Sequence, residues 1–255
     1  MRSLQRASAR RRAGHTVVEG PKLVAEALHA GVVESVLCVK DPSPAAAAAV
    51  DEAAARGISV RRCTDGVFNA VADTETPQGI LAVIATPDPP PPPGPALLLV
   101  LDGVQDPGNV GAMVRSAAAA GATGVICTPG TADAYSPKAM RAGAGGQLRV
   151  PIRKAPEPAD FESVAPDVDM YTASADADLA YHDIDWTVPC GLIVGAESAG
   201  VSPDWRAASR AAVRVPMQRE VESLNAAAAA AVILFEAARQ RAANSTNKDP
   251  GARAD

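Results

Sequence analysis

The sequence predicts an α/β protein in two parts, on three observations. Short apolar runs alternate with helix-length segments, a proline tract interrupts that alternation, and Gly/Pro-rich loops follow several of the apolar runs. The tract is Thr86 to Pro95, TPDPPPPPGP, whose consecutive prolines cannot donate ladder hydrogen bonds and favour an extended polyproline segment. It reads as a semi-rigid linker between two domains, and it is expected to let the segment from Ala96 onward fold alone. A length of 255 residues accommodates both domains.

Residues 1–85 begin with Arg2, Arg6, Arg10, Arg11 and Arg12, all ahead of the first acid, Glu19. On a chain of net charge −5 this basic start is either a solvated, frayed terminus or an arm that touches RNA. It also resembles an organelle transit peptide, but Glu19 and a folded-looking segment follow too soon. Thr16 to Val18, Val36 to Val39, Ile58 to Val60 and Ile80 to Ile84 read as short buried strands, with helices at Pro21 to Ala30 and Ala45 to Arg56. They predict a small α/β domain.

Beyond the linker at 86–95, strands are expected at Ala96 to Leu101, Gly124 to Cys127, Met170 to Thr172, Gly191 to Val194 and Ala212 to Val215, separated by helical stretches. A mostly parallel sheet covered by helices is the economical arrangement for residues 96–243. Residues 244–255 read as a polar, frayed tail.

Several function classes are disfavoured. The longest strictly apolar stretch, Ala226 to Phe235, has ten residues, against the roughly 20 of a membrane span. No apolar segment follows the basic start as a secretory signal requires, so a soluble, cytoplasmic protein is expected. Cys38, Cys63, Cys127 and Cys190 form no CxxC pair and read as buried reduced thiols. His15, His29 and His182 lack metal-ligand spacing, so no metal is expected. Only eight aromatic residues exist, too few for a base-stacking platform; contacts to RNA would be to shape, phosphate and ribose.

Three segments carry chemistry. In LVLDGVQDPGNVGAMVRSAAAAGA, Leu99 to Ala122, a buried strand ends at Asp102 and a helix begins near Asn109, a candidate cap whose free backbone N–H groups favour an anion. Gly111 and Arg115 lie four apart, so the guanidinium can lean back over Gly111 toward the loop and grip a phosphate or carboxylate. An ordinary strand-turn-helix with a surface arginine fits equally well. In CGLIVGAESAGVSPDW, Cys190 to Trp205, Gly195 lets a ligand approach the backbone, and Ser202 and Pro203 look like a helix N-cap and first position. Glu197 and Gly200 then occupy a strand-to-helix loop, where α/β proteins bind ligands, although Glu197 alone reads as a solvated carboxylate. In VPMQREVESLNAAAAAAVILFEAARQ, Val215 to Gln240, a polar loop leads through Ser223 and Leu224 to Asn225, which places an amide at the positive end of a long helix.

Together these segments resemble the three motifs of the SpoU (TrmH) family of RNA ribose 2'-O-methyltransferases, in the SPOUT superfamily. Asn109, Gly111 and Arg115 match the first, Gly195, Glu197 and Gly200 the second, and Ser223, Leu224 and Asn225 the third. VVEGPKLVAEAL and TPQGI resemble the family's L30e-like substrate-binding domain.

The resemblance implies a parallel sheet whose C-terminal chain is tucked through a loop as a trefoil knot, and a homodimer formed through the C-terminal domain. It implies S-adenosylmethionine bound mainly by backbone groups at Gly195, Val215, Met217 and Leu224, with Thr172 and Ala173 beside them. Arg115 matches the family's catalytic arginine. Because arginine stays protonated, it is better read as holding the adjacent phosphate and the developing alkoxide, with Asn109, Glu197 and Asn225 orienting the reactants. Where the family commonly has a serine two residues after Arg141, this chain has Gly143. The run Gly143 to Gly146 reads as a flexible loop near the substrate, with Arg141, Arg10, Arg11 and Arg12 as phosphate contacts. An accessory N-terminal domain favours ribosomal RNA as the target, for housekeeping or antibiotic resistance. The alternative is a non-catalytic RNA-binding or ribosome-assembly protein on the same fold; a generic nucleotide-binding enzyme has no phosphate-loop signature to support it.

Overall fold

The computed structural model describes residues 1–154, 157–162, 167–218 and 223–248. The first sheet follows helix α1 (Ala7–Ala13) and is built from β1 (His15–Glu19), β2 (Val33–Val39), β3 (Ser59–Cys63) and β4 (Ile80–Ala85), in the order β1-β4-β2-β3. Helices α2 (Pro21–His29), α3 (Pro44–Ala55) and α4 (Asp65–Asn69) connect them. Strands β1 and β2 run antiparallel to β4, and β3 parallel to β2. The start of α3 is written in the sequence: Ser43 caps it by accepting from the Ala46 N–H, and Pro44 takes the first position. Its buried residues, Ala46, Ala49, Val50 and Ala53, recur at helical spacing.

The second sheet has seven strands in the order β7-β6-β5-β10-β8-β11-β9, and every neighbouring pair is parallel. In chain order its elements are β5 (Leu97–Asp102), α5 (Pro107–Ala119), β6 (Gly124–Cys127), α6 (Pro137–Gly143), β7 (Ile152–Lys154), α7 (Pro158–Glu162), β8 (Asp169–Ala173), β9 (Leu179–Ala180), β10 (Cys190–Gly195), α8 (Pro203–Ala207), β11 (Ala211–Arg214) and α9 (Ala226–Lys248). The chain moves outward from β5 to β7, then starts again on the other side, with β10 inserted between β5 and β8. That reversal makes the β5/β10 boundary a switch point, where open parallel sheets form ligand crevices. Alternation along β5 and β10 divides the core. Leu99, Leu101, Leu192 and Val194 pack with Met113, Ile233 and Leu234 on one face; Val100 and Ile193 pack with Met170 and Trp205 on the other.

Four expectations need correction. The start of the chain is not frayed: α1 is held down by Arg10, which is only 5% exposed and donates to Asp133 and to the Leu4 and Gln5 carbonyls. The run at Gly143 to Gly146 is a packing turn rather than a flexible loop. A Cβ on Gly143 would sit 2.2 Å from Gln147 Oε1, and one on Gly146 would sit 2.9 Å from Arg115 Cα. Helix α9 extends to Lys248, so residues 244–248 are helical, while 249–255 lie outside the described residues. Cys38, Cys127 and Cys190 are buried free thiols as expected, but Cys63 is half-buried.

The two sheets also share a core. Met140 of α6 and Leu148 pack among Leu23, Val24 and Ile80, and Thr16 Oγ1 donates to the Tyr135 carbonyl at 2.6 Å. The proline tract is tied at both ends, by Tyr135 Oη donating to Pro87 O at 3.0 Å and by Arg241 donating to Pro95 O and Ala96 O.

Candidate active site

Three loops meet at the C-terminal ends of β5, β10 and β11. The β5 loop is fixed first. Asp106, not Asn109, caps α5: its Oδ1 accepts from the Asn109 N–H at 2.9 Å, with Pro107 at the first helical position. Lys138 Nζ bonds the other carboxylate oxygen at 2.7 Å, and it and the Asn109 N–H hold the Asp106 carboxyl below its usual range. Released from capping, the Asn109 side chain extends from the first turn of α5 to its neighbours.

The β10 loop is braced from β5. Asp102, buried at the end of its strand, accepts from Ser202 N at 2.6 Å and from Thr128 Oγ1 at 2.8 Å. Gly195 is required by the chain itself: a Cβ there would sit 2.1 Å from the Gly200 carbonyl carbon, because residues 196–200 fold back over it, with Gly200 at φ +68°. The close approach expected of a ligand at Gly195 is therefore made by the loop's own backbone.

These loops bring Asn109, Glu197 and Asn225 together. Asn109 Nδ2 donates to Glu197 Oε1, and Asn225 Nδ2 donates to Asn109 Oδ1 at 3.2 Å. Asn225 Oδ1 meanwhile accepts from Ala227 N at 2.9 Å and Ala228 N at 3.3 Å, so this residue both caps α9 and enters the cluster. Glu197 and Asn225 line a cleft of about 380 Å³, within the range of about 300–1,000 Å³ usual for small-molecule sites, and Asn109 is bonded to both. Ala173, Gly195, Val215, Met217 and Leu224, positions that the family resemblance implies for the cofactor, all line it. Thr172 does not. It is 2% exposed on β8, in register with Ile193 of β10, and the next residue turns into the cleft instead. Sequence reasoning missed Ser174, Ala226 and Ala229, which also line it; the small pair at i and i+3 in α9 was the available signal.

The arginines are dispersed. Arg115 is exposed on α5 and takes no hydrogen-bond partner among the described residues. It lies six residues past Asn109, which places it about 120° round the helix and about 9 Å along it. The triplet and Arg115 therefore do not form one cluster within the chain. Arg10 is buried structure, which corrects its expected role as an RNA contact, while Arg11 and Arg12 remain exposed on α1. Arg141 is engaged by Asp73, which lies between α4 and β4 of the first sheet, at 2.9 Å. No group of His, Cys, Asp and Glu among the described residues is placed to hold a metal.

Fold and site thus define a two-sheet α/β protein with a ligand cleft at the switch point of its parallel sheet. Residues 96–235 match the SpoU rRNA Methylase family, and residues 1–82 match the MRM3-like substrate binding domain. The chain belongs to the SpoU rRNA methylase family. It is 36% identical to the 23S rRNA (guanosine(2553)-2'-O)-methyltransferase RlmP of Bacillus subtilis, over 86% of each chain. It is 31% identical to the mouse mitochondrial rRNA methyltransferase 3, over 91% of this chain and 69% of that one. Among solved structures, the SpoU methyltransferase AviRb from Streptomyces viridochromogenes, in complex with AdoMet, superposes with a TM-score of 0.83 at 29% identity, covering 94% of this chain and 95% of that one.

Proposed function

We propose that the protein transfers the methyl group of S-adenosylmethionine to a ribose 2'-hydroxyl of ribosomal RNA. The observation that carries this is the bonded Asn109–Glu197–Asn225 cluster, two members of which, Glu197 and Asn225, line a cleft of cofactor size. The cleft suits the cofactor: the small residues Ala173, Ala226 and Ala229 leave room in it, and Val215, Met217 and Leu224 supply apolar walls. When bound, S-adenosylmethionine supplies an electrophilic methyl group.

The chain's own residues position the nucleophile. Glu197 is exposed and bonded through one oxygen, so its carboxylate can accept from a ribose hydroxyl while Asn109 fixes its direction. Arg115, unpaired among the described residues, provides charge for an adjacent phosphate and a developing alkoxide. Its separation from the triplet favours a homodimer in which a second copy completes the site, and the exposed Val232 and Phe235 give α9 an apolar outer face for such packing. This reading includes a trefoil knot in the C-terminal part. It also includes the division into a substrate-binding domain (1–85), a linker (86–95) and a methyltransferase domain (96–243), with action in the cytoplasm.

Incubating protein-free ribosomal RNA with the enzyme and methyl-labelled cofactor, then mapping the modified nucleotide, tests the proposal. A single 2'-O-methylated site is expected. RNA binding with no label transferred to any ribosomal RNA would leave only a non-catalytic binding protein.

A further inference from the structure

A second cavity, of about 510 Å³, opens at the C-terminal ends of β6 and β7, beneath α1. It lies on the same edge of the sheet as the cofactor cleft. Only β5 separates β6 from β10, and adjacent strands are spaced about 4.8 Å apart. Two cations line it, Arg11 from α1 and Lys154 from the end of β7, and neither has an acidic partner among the described residues.

The charge balance inside this cavity is unusual for a chain of net charge −5. Its one acid, Asp133, is already neutralised by the buried guanidinium of Arg10, with Nη2 at 2.6 Å. Its other titratable groups stay neutral: burial pushes the Cys127 thiol up to about 12 and the Tyr135 phenol well above its ordinary range. Arg11 and Lys154 therefore face an otherwise uncharged concavity. The arrangement also gives two arginines at the start of the chain, Arg10 and Arg11, distinct parts. Arg10 anchors α1 through Asp133 and two backbone carbonyls, and that anchorage presents Arg11 at the cavity.

We infer that this cavity is a second RNA-binding site, in which Arg11 and Lys154 hold a backbone phosphate of the substrate while a neighbouring segment enters the methyl-transfer cleft. The inference deepens the proposed function and rests on RNA being the substrate, but it does not require that methyl transfer occur. Contacts to phosphate are independent of base sequence, so an RNA hairpin of arbitrary sequence is a sufficient probe.

The test is titration of the full-length protein with a fluorescent hairpin of about 30 nucleotides over a range of salt concentrations. Arg11→Ala combined with Lys154→Ala should weaken binding about tenfold or more and flatten the slope of log K against log salt by about 0.8, the share of one neutralised phosphate. The charge-preserving pair Arg11→Lys and Lys154→Arg should retain both, as should Arg61→Ala, which removes an exposed charge on the distant strand β3. Cofactor affinity measured on the same samples reports separately on the methyl-transfer cleft. If the alanine pair keeps its fold with affinity or salt slope unchanged, the second site is wrong, whether or not the protein methylates RNA.

Discussion

Asn225 sets the polarity of Asn109. Because Asn225 Oδ1 is committed to the first N–H groups of α9, its Nδ2 faces Asn109 and must meet an acceptor; Asn109 Oδ1 takes that place, which turns Asn109 Nδ2 toward Glu197. A helix terminus thereby dictates the orientation of a carboxylate on another loop.

Asn225→Asp separates capping from catalysis. Aspartate still accepts from the Ala227 and Ala228 N–H groups and suits the positive helix end, so thermal stability should hold or rise slightly. Its second oxygen would confront Asn109 Oδ1, reverse that amide and leave Glu197 without its donor. Methyl transfer should fall about a hundredfold, the scale of losing one oriented electrostatic contact. Asn225→Ala should cost about 0.5–2 kcal/mol as well. A melt and a methylation assay on both variants check this; equal activity in Asn225→Asp and wild type would remove the relay from the mechanism.

Asp102 is expected to act through the loop it braces. Asp102→Ala leaves the Ser202 N–H without its buried acceptor, a loss of about 1–3 kcal/mol. Cofactor affinity should fall with it, since the same loop folds over Gly195. Asp102→Asn keeps an acceptor for Ser202 and should restore most of both, as read by urea unfolding and calorimetric cofactor titration.

Gly195→Ala tests why glycine stands at the end of β10. The added methyl meets the Gly200 carbonyl within 2.2 Å, so the loop must move, at about 1–3 kcal/mol. Weaker cofactor binding is the expected readout. Unchanged stability and affinity would show that the loop relaxes freely.

The pH dependence of stability should show the Asp106 pair. Lys138 and the Asn109 N–H lower the Asp106 pKa below its ordinary value of 3.8. A depressed folded-state pKa means that its stabilisation is present above the unfolded value and is lost as pH falls through the lower folded one. Asp106→Asn keeps a capping side chain but removes the charge, so its stability deficit should be seen at pH 7 and close below about pH 4. Denaturant midpoints of both proteins across that range decide it.

Much of the site was legible because its residues serve local structure as well. Pro107, Pro137 and Pro203 mark helix starts at the ends of strands, and Asn225 precedes an unbroken alanine run. The strands missed, Ile152–Lys154 and Leu179–Ala180, are edge elements of three and two residues, too short for a period to show. Both Asp106 and Asn109 are residue types that suit a cap, and the position of Pro107 at the first helical residue is what marks Asp106. The roles of Gly111, Gly143 and Gly195 in packing chain against chain depend on contacts that local sequence does not encode: a Cβ on Gly111 would lie 2.3 Å from the Ala139 carbonyl oxygen of another helix.

The last expectation concerns independence of the two halves. A proline tract argues that the segment from Ala96 stands alone, but the packing opposes it. Met140 and Leu148, buried at 0% and 8% exposure, sit in the core of the first sheet and its helices, and Arg10 and Thr16 satisfy Asp133 and the Tyr135 carbonyl. Deleting residues 1–85 exposes that apolar surface and strips Asp133 of its cation, so the remainder should aggregate or melt well below the full-length protein. Replacing Met140 and Leu148 with glutamine in the truncated chain should recover solubility without recovering RNA affinity, because Arg11 has gone. Size-exclusion chromatography and thermal melts of the two truncated forms make the comparison. If the unmodified segment from Ala96 is monodisperse and as stable as the whole, the shared core contributes nothing and the linker alone separates two autonomous folds.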